Sequence, residues 1–217
     1  MPAGMAGFAV EAQKHDWGVL NNVALPYWAA TTIAFIALDL AIYAQHILFH
    51  AVPALWLVHR MHHSDLDFDV TTGSRFHPVE IALSLEFKMA LVAVLGPPAL
   101  AVLIFEVALN ATSMFNHSNL KIPEDVDVWL RLLLVTPDMH RVHHSIAINE
   151  TNSNFGFNLP RWDYLFGTYL AQPKAGHDGM TIGIDLFRDP REFRLGRMLL
   201  QPFGAGAGNY PISRRAV

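Results

Sequence analysis

The sequence predicts an all-α protein: membrane-embedded helices, one span plus a broken helix or helical hairpin, beneath a histidine-rich helical cap. Three observations lead there. Hydrophobic residues make up 52% of the 217 residues and charged residues only 16%, against about 25% charged in soluble domains. Two long stretches carry almost no charge. Histidines cluster at 46 and 50, at 59, 62 and 63, and at 140, 143 and 144, a spacing that places each cluster on one helix face.

The first apolar stretch, Val23 to Ala44, has one charge, Asp39, with Tyr27 and Trp28 near its start. About 20 apolar residues span a bilayer, and such aromatics favour the interface. The second runs from Ile81 to Leu109, with an uncharged centre from Met89 to Phe105. Gly96-Pro97-Pro98 interrupts it, because proline cannot continue a regular helix. One broken helix and a two-helix hairpin both fit. The beginning of the chain lacks a basic segment followed by an apolar one, so no cleaved signal peptide is expected.

Between these stretches the helix carrying Asp39, His46 and His50 leaves the apolar span. Pro53 restarts it, and Trp56 to His63 form the next helix. Ser64 to Thr72 reads as an acidic, solvated turn. Its Asp65, Asp67 and Asp69 lack the glycine and glutamate of a calcium loop. Thr136-Pro137-Asp138 is a strong helix start, and the helix it opens presents His140, His143 and His144. Asn152, Asn154 and Asn158 with Gly156 read as a polar loop, and Trp162 to Phe166 as a short amphipathic turn packed on the cap. Residues 1–22 form an N-terminal segment, 23–172 the helical domain, and 173–217 a surface tail with Arg188, Arg191, Arg194, Arg197, Arg214 and Arg215.

The composition limits the chemistry. With no cysteine, disulfides, thiolate metal sites and cysteine nucleophiles are excluded. A net charge of −4 with histidines neutral offers no basic surface for nucleic acid. Eight clustered imidazoles exceed what one ion with four to six ligands needs, so two metal ions are expected. Imidazoles alone do not separate iron from zinc. Candidates to orient them are Asp39, Asp138, Glu80 and Glu150. Asp39 stands out, because an ionisable residue in an apolar span is costly unless paired. Helix capping accounts equally well for Asp138. Asn154 is a candidate to hold a metal-bound water, although a turn role suits it better.

In order, HILFH, HRMHHS, TTGSRFHPVE, NHSNLKIP, TPDMHRVHHS and ETNSNFGFNLPRWDYLFGTY resemble the fatty acid hydroxylase/sterol desaturase superfamily, over about Asp39 to Gln172. The resemblance implies an integral membrane, non-haem di-iron oxidoreductase that turns O2 on a lipid C–H bond, by hydroxylation or desaturation. It implies His46, His50, His59, His62, His63, His140, His143 and His144 as ligands, His117 as a further ligand and His77 as a frequent companion. It also implies two iron ions, with zinc as a substitute in purified protein, and an external electron donor such as a ferredoxin or a cytochrome b5-like protein with its reductase. A bacterial inner membrane with the site facing the cytoplasm is the expected location. The chain departs from the family pattern at Ser113, where many members have a histidine, and at Ile47, where many have an arginine. It also looks short at the N-terminus. A zinc-dependent membrane hydrolase and an inactive truncated homologue are the other readings.

Overall fold

The computed structural model describes residues 4–212. Arg214 and Arg215 of the basic tail lie outside the described residues. Ten α-helices are present among the described residues, and no strand beyond an isolated bridge between Ser145 and Ile182. Helix α1 spans Met5–Lys14, α2 Tyr27–Ala51, α3 Pro53–His63, α4 Pro78–Leu95 and α5 Ala99–Asn116. The shorter α6 (Glu124–Leu130), α7 (Pro137–His143), α8 (Ile148–Thr151), α9 (Arg161–Phe166) and α10 (Leu195–Leu200) follow.

Among the described residues, α2 and α5 are long and apolar enough to cross a membrane. The first span starts later than the sequence suggests and runs seven residues further, carrying His46 and His50 within the same helix. Pro53 then opens α3, where its missing N–H costs nothing.

The second stretch is a hairpin. Gly96 ends α4 in the left-handed conformation at φ 64°, and Pro98 precedes the first turn of α5. Glycine is required there: a Cβ on Gly96 would lie 2.4 Å from the Trp17 carbonyl oxygen, and one on Gly18 would lie 2.1 Å from the Gly96 nitrogen. Helix α1 buries Met5 and Ala9 against Val92 and Val102 at this corner. Each arm has 18 residues, about 27 Å at 1.5 Å per residue. The chain therefore leaves the histidine region along α4 and returns to it along α5. Leu38 and Ile42 of α2 pack on Phe105 of α5. The outer faces of the hairpin stay apolar and exposed, with Val94 at 68% and Val107 at 62%, a surface suited to lipid.

The described part of the tail from Pro173 is ordered against the helical domain. It folds over the back of α3, where Ile184, Ala207 and Tyr210 pack with Trp56. Arg60, fully buried, donates to the Gly206 carbonyl at 2.8 Å and to that of Gln201. Position 60 lies between two ligand-type histidines but faces the other way, so the tail covers the side of the helix the cluster does not use.

Candidate metal centre

Four helices bring nine of the ten candidate histidines together. The ligand-capable atoms of His46, His50, His59, His63 and His143 lie within 4.8 Å of one another, and so do those of His62, His117, His140 and His144. All nine are buried, none more than 3% exposed. The two HxxHH helices exchange roles. Helix α3 gives its i and i+4 histidines to the first group and its i+3 histidine to the second. Helix α7, with its C-cap His144, does the reverse. Helix α2 adds the i, i+4 pair His46 and His50 to the first group. His117, the C-cap of α5, completes the second.

Outward hydrogen bonds fix several rings. His46 Nδ1 donates to the Phe155 carbonyl at 2.8 Å, His143 Nδ1 to that of Ser153 at 2.7 Å, and His117 Nδ1 to that of Ser113 at 2.6 Å. His59 Nδ1 donates to Glu80 at 2.6 Å. His50 Nδ1 donates to Asn152 Oδ1 at 3.2 Å, and the Asn152 amide nitrogen is itself spent on the Ile148 and Tyr210 carbonyls. A carbonyl or carboxylate only accepts, so each of these rings carries its proton on Nδ1 and aims a bare Nε2 lone pair inward.

In the first group four such lone pairs converge. His63 Nε2 lies 3.1 Å from that of His50 and 3.2 Å from that of His59, and its single proton satisfies at most one of them. Among the described residues the Nε2 atoms of His46 and His143 have no hydrogen-bond partner. In the second group His117 Nε2 sits 3.2 Å from His62 Nε2 and 3.1 Å from His140 Nε2. Buried acceptors left unpaired cost about 1–3 kcal/mol each, whereas a shared cation satisfies all of them. Burial drives His143 down to about 3. It also holds His62, His63, His140 and His144 well below the ordinary imidazole value, helped by neighbouring imidazoles. Neutral rings are the form that binds metal. The residues fit two metal ions.

The remaining candidates fall elsewhere. His77 lies outside both groups: it caps α4 by accepting from the Val79 amide and pairs with the Leu199 carbonyl. Asp39 meets no imidazole and accepts from Asn158 at 2.8 Å and Trp162 Nε1 at 2.7 Å. Trp162 is thus more than packing, and the unpaired charge in an apolar span was the signal that some donor had to reach it. Asp138 pairs with Arg141 at 2.5 Å. Glu150 accepts from the Lys174 amide at 2.7 Å. Asn154, at φ 52°, bonds the Met139 and Leu170 backbones. Of the carboxylates proposed to orient imidazoles, only Glu80 does so.

The first group borders a cavity of about 670 Å³ between α2, α4 and α5. His46, His59 and Glu80 form one part of its wall. Ile42, Phe49, Ile81, Leu85, Leu109 and Phe157 make the wall largely apolar, and Lys88, paired with Glu106 at 2.8 Å, stands two helical turns along α4 from Glu80. An alkyl chain with a polar end fits such a lining.

No solved structure matches the chain. It is 31% identical to an ornithine lipid hydroxylase of Rhizobium tropici over 69% of this chain and 44% of that one. It is 27% identical to an alkylglycerol monooxygenase of Xenopus tropicalis over 83% of this chain and 40% of that one. To a cholesterol 25-hydroxylase of Rattus norvegicus it is 30% identical, over 66% and 47%. The chain thus spans less than half the length of these relatives. The pattern of the family described as fatty acid hydroxylase matches residues 31–168, a segment that holds all nine converging histidines, and the chain belongs to the fatty acid hydroxylase family.

Proposed function

We propose that the chain is a membrane non-haem di-iron oxidoreductase that uses O2 to hydroxylate a C–H bond of a lipid. The observation that carries this reading is the convergence of nine buried imidazoles beside a largely apolar cavity. His46, His50, His59, His63 and His143 would hold one ion, and His62, His117, His140 and His144 the other. Two iron ions, when bound, would supply the redox capacity to activate O2 against an alkyl C–H bond, which has no acidic proton for a general base to take.

The protein's own residues do the positioning. Ile42, Phe49, Leu109 and Phe157 enclose the alkyl segment and exclude water from it. His46 and His59 open directly onto that space, so a carbon lying there is next to the first group. Glu80 holds His59 with its Nδ1 proton outward, and the Phe155 carbonyl does the same for His46. Rigid placement of reactant and reactive centre is worth several kcal/mol of barrier. Hydroxylation is preferred to desaturation because the relatives named above are hydroxylases and a monooxygenase. Electrons would come from an external ferredoxin or cytochrome b5-like donor, the metal site facing the cytoplasm of a bacterial inner membrane. Zinc would occupy the same imidazoles in purified protein as a substitute.

The test is lipid profiling of cells with and without the protein under 18O2, with metal analysis of anaerobically purified protein. Two iron ions per chain and a product carrying one 18O atom, lost in His144→Ala, are expected. Product oxygen drawn from water, or full activity without O2 in a zinc-only protein, moves the chain to the hydrolases. A metal content of one or less removes the two-metal reading.

A further inference from the structure

Two histidines of the first group, His46 and His143, are oriented by backbone carbonyls rather than side chains, and both carbonyls lie on one short segment, Ser153 to Phe155. A carbonyl orients a ring only as well as its own loop is held. Asn154 ties the segment to the Met139 and Leu170 backbones, and a buried carboxylate clamps its C-terminal end. Asp163 Oδ1 accepts from the Phe155 amide at 2.8 Å, and Asp163 Oδ2 accepts from the Gly156 amide at 2.9 Å. Thr168 Oγ1 adds a third donor at 2.7 Å. The fit is close: a Cβ on Gly156 would sit 2.8 Å from Asp163 Oδ2. Asp163 is fully buried, and its carboxylate bonds to Phe155, Gly156 and Thr168 rather than to any of the nine histidines.

We propose that Asp163 is a positioning residue for the first histidine group, acting through the Phe155 and Gly156 amides to hold the carbonyls that orient His46 and His143. Phe155 carries the link most directly, since its N–H faces Asp163 while its C=O faces His46. The ionised carboxylate is the form with acceptor capacity for three donors. Burial pushes the Asp163 carboxyl up to about 6 against the pull of those donors, which leaves it mainly ionised at neutral pH. The second group has no such tie: its one outward bond is from His117 to Ser113, on α5. Loss of the clamp therefore acts on one group and not on both.

This inference rests on the metal reading above, and the experiment separates the two. Full-length protein in detergent is stripped of metal and titrated with Co2+, whose visible bands report imidazole coordination. Wild type should bind two ions. Asp163→Asn, which keeps one acceptor oxygen but turns its NH2 toward one of the two backbone N–H groups, should weaken one binding event by about 10–100-fold, the range for partners that orient ligands, and leave the other unchanged. The unchanged event should have the same spectrum as the event left unchanged in His63→Ala, which removes a ligand from the first group alone. Should Asp163→Asn fail to fold, Thr168→Val removes one donor with little change of shape and should weaken the same event by a few-fold. Equal weakening of both events, no weakening of either, or a surviving spectrum that matches the first group overturns the inference. A wild type that binds no Co2+ at all overturns the metal reading instead.

Discussion

The two histidine groups are built from the same HxxHH helices, yet they are held very differently. In the first, His46, His50, His59 and His143 each spend Nδ1 on a partner outside the group, and only His63 does not. In the second, among the described residues, His117 alone is tied in that way, and the Nδ1 atoms of His62, His140 and His144 have no hydrogen-bond partner. The groups also differ by one ring, five against four. The resemblance to the family implies a histidine at position 113 in many members. There, one turn before His117, a serine donates to the Gly73 carbonyl at 3.2 Å. Outer partners fix the tautomer and direction of a ligand. The first group is therefore the prearranged, rigid one, placed beside the cavity, and the second is the adaptable one.

The largest expected effect follows from ligand number. His140→Ala leaves the second group with three imidazoles, below the four a closed site uses, and its metal should be lost on desalting. His46→Ala leaves four in the first group, and that ion should be retained at reduced affinity. Metal content after gel filtration reads the difference: close to one per chain for His140→Ala, above one for His46→Ala. Equal content in the two variants breaks the comparison. Next comes Glu80→Gln. It replaces a charge-assisted bond on His59 with a neutral one and should weaken the first site by about 10–100-fold, with the second unchanged in a two-site titration.

Much of this arrangement was legible in the sequence, for definite reasons. Helical spacing alone put His59, His62 and His63 on one face, and Thr136-Pro137 announced α7 through capping chemistry. Pro53 and Gly96-Pro97-Pro98 marked real breaks, although only the structure decided for a hairpin. What spacing could not give was the division into groups. His62 and His63 are neighbours in sequence and belong to different groups, because adjacent helix positions diverge by about 100°. Long-range partners were invisible too. Asp39 pairs with residues 119 and 123 positions away, and Arg60 is met by carbonyls 141 and 146 positions on. His77, implied by the resemblance as a companion of the ligands, stands outside both groups, and its ring caps α4.

A smaller effect is expected at His50. Its partner is a neutral amide at 3.2 Å, and such a bond contributes about 1 kcal/mol. Asn152→Ala should weaken the first site by about five-fold, measured by the same titration. Since Tyr210 fixes the Asn152 amide through its carbonyl, shortening the chain before Tyr210 should reproduce that loss. If neither change moves the first site, the outward bonds do not set its affinity.

The smallest effect, and the one that sharpens the comparison most, is a gain. Ser113→His places an imidazole one turn before His117, the i, i+4 relation that joins His46 to His50. Ser113 lines the cavity, so room for a ring exists on one side. On the other side α5 already approaches the 72–74 turn closely: a Cβ on Gly73 would lie 2.9 Å from the Ser113 carbonyl oxygen. The new ring must therefore lie toward the cavity. Losing the serine hydroxyl gives up one neutral hydrogen bond to Gly73, about 1 kcal/mol, which offsets part of the gain from a fifth ligand. A net tightening of the second site by a few-fold is expected, with the first site unchanged and the cavity narrowed for bulky substrates. Two-site Co2+ titration reads the first effect, and product yield across lipids of increasing bulk reads the second. If Ser113→His instead tightens the first site, ring number does not explain the difference between the groups, and the outward bonds alone must carry it.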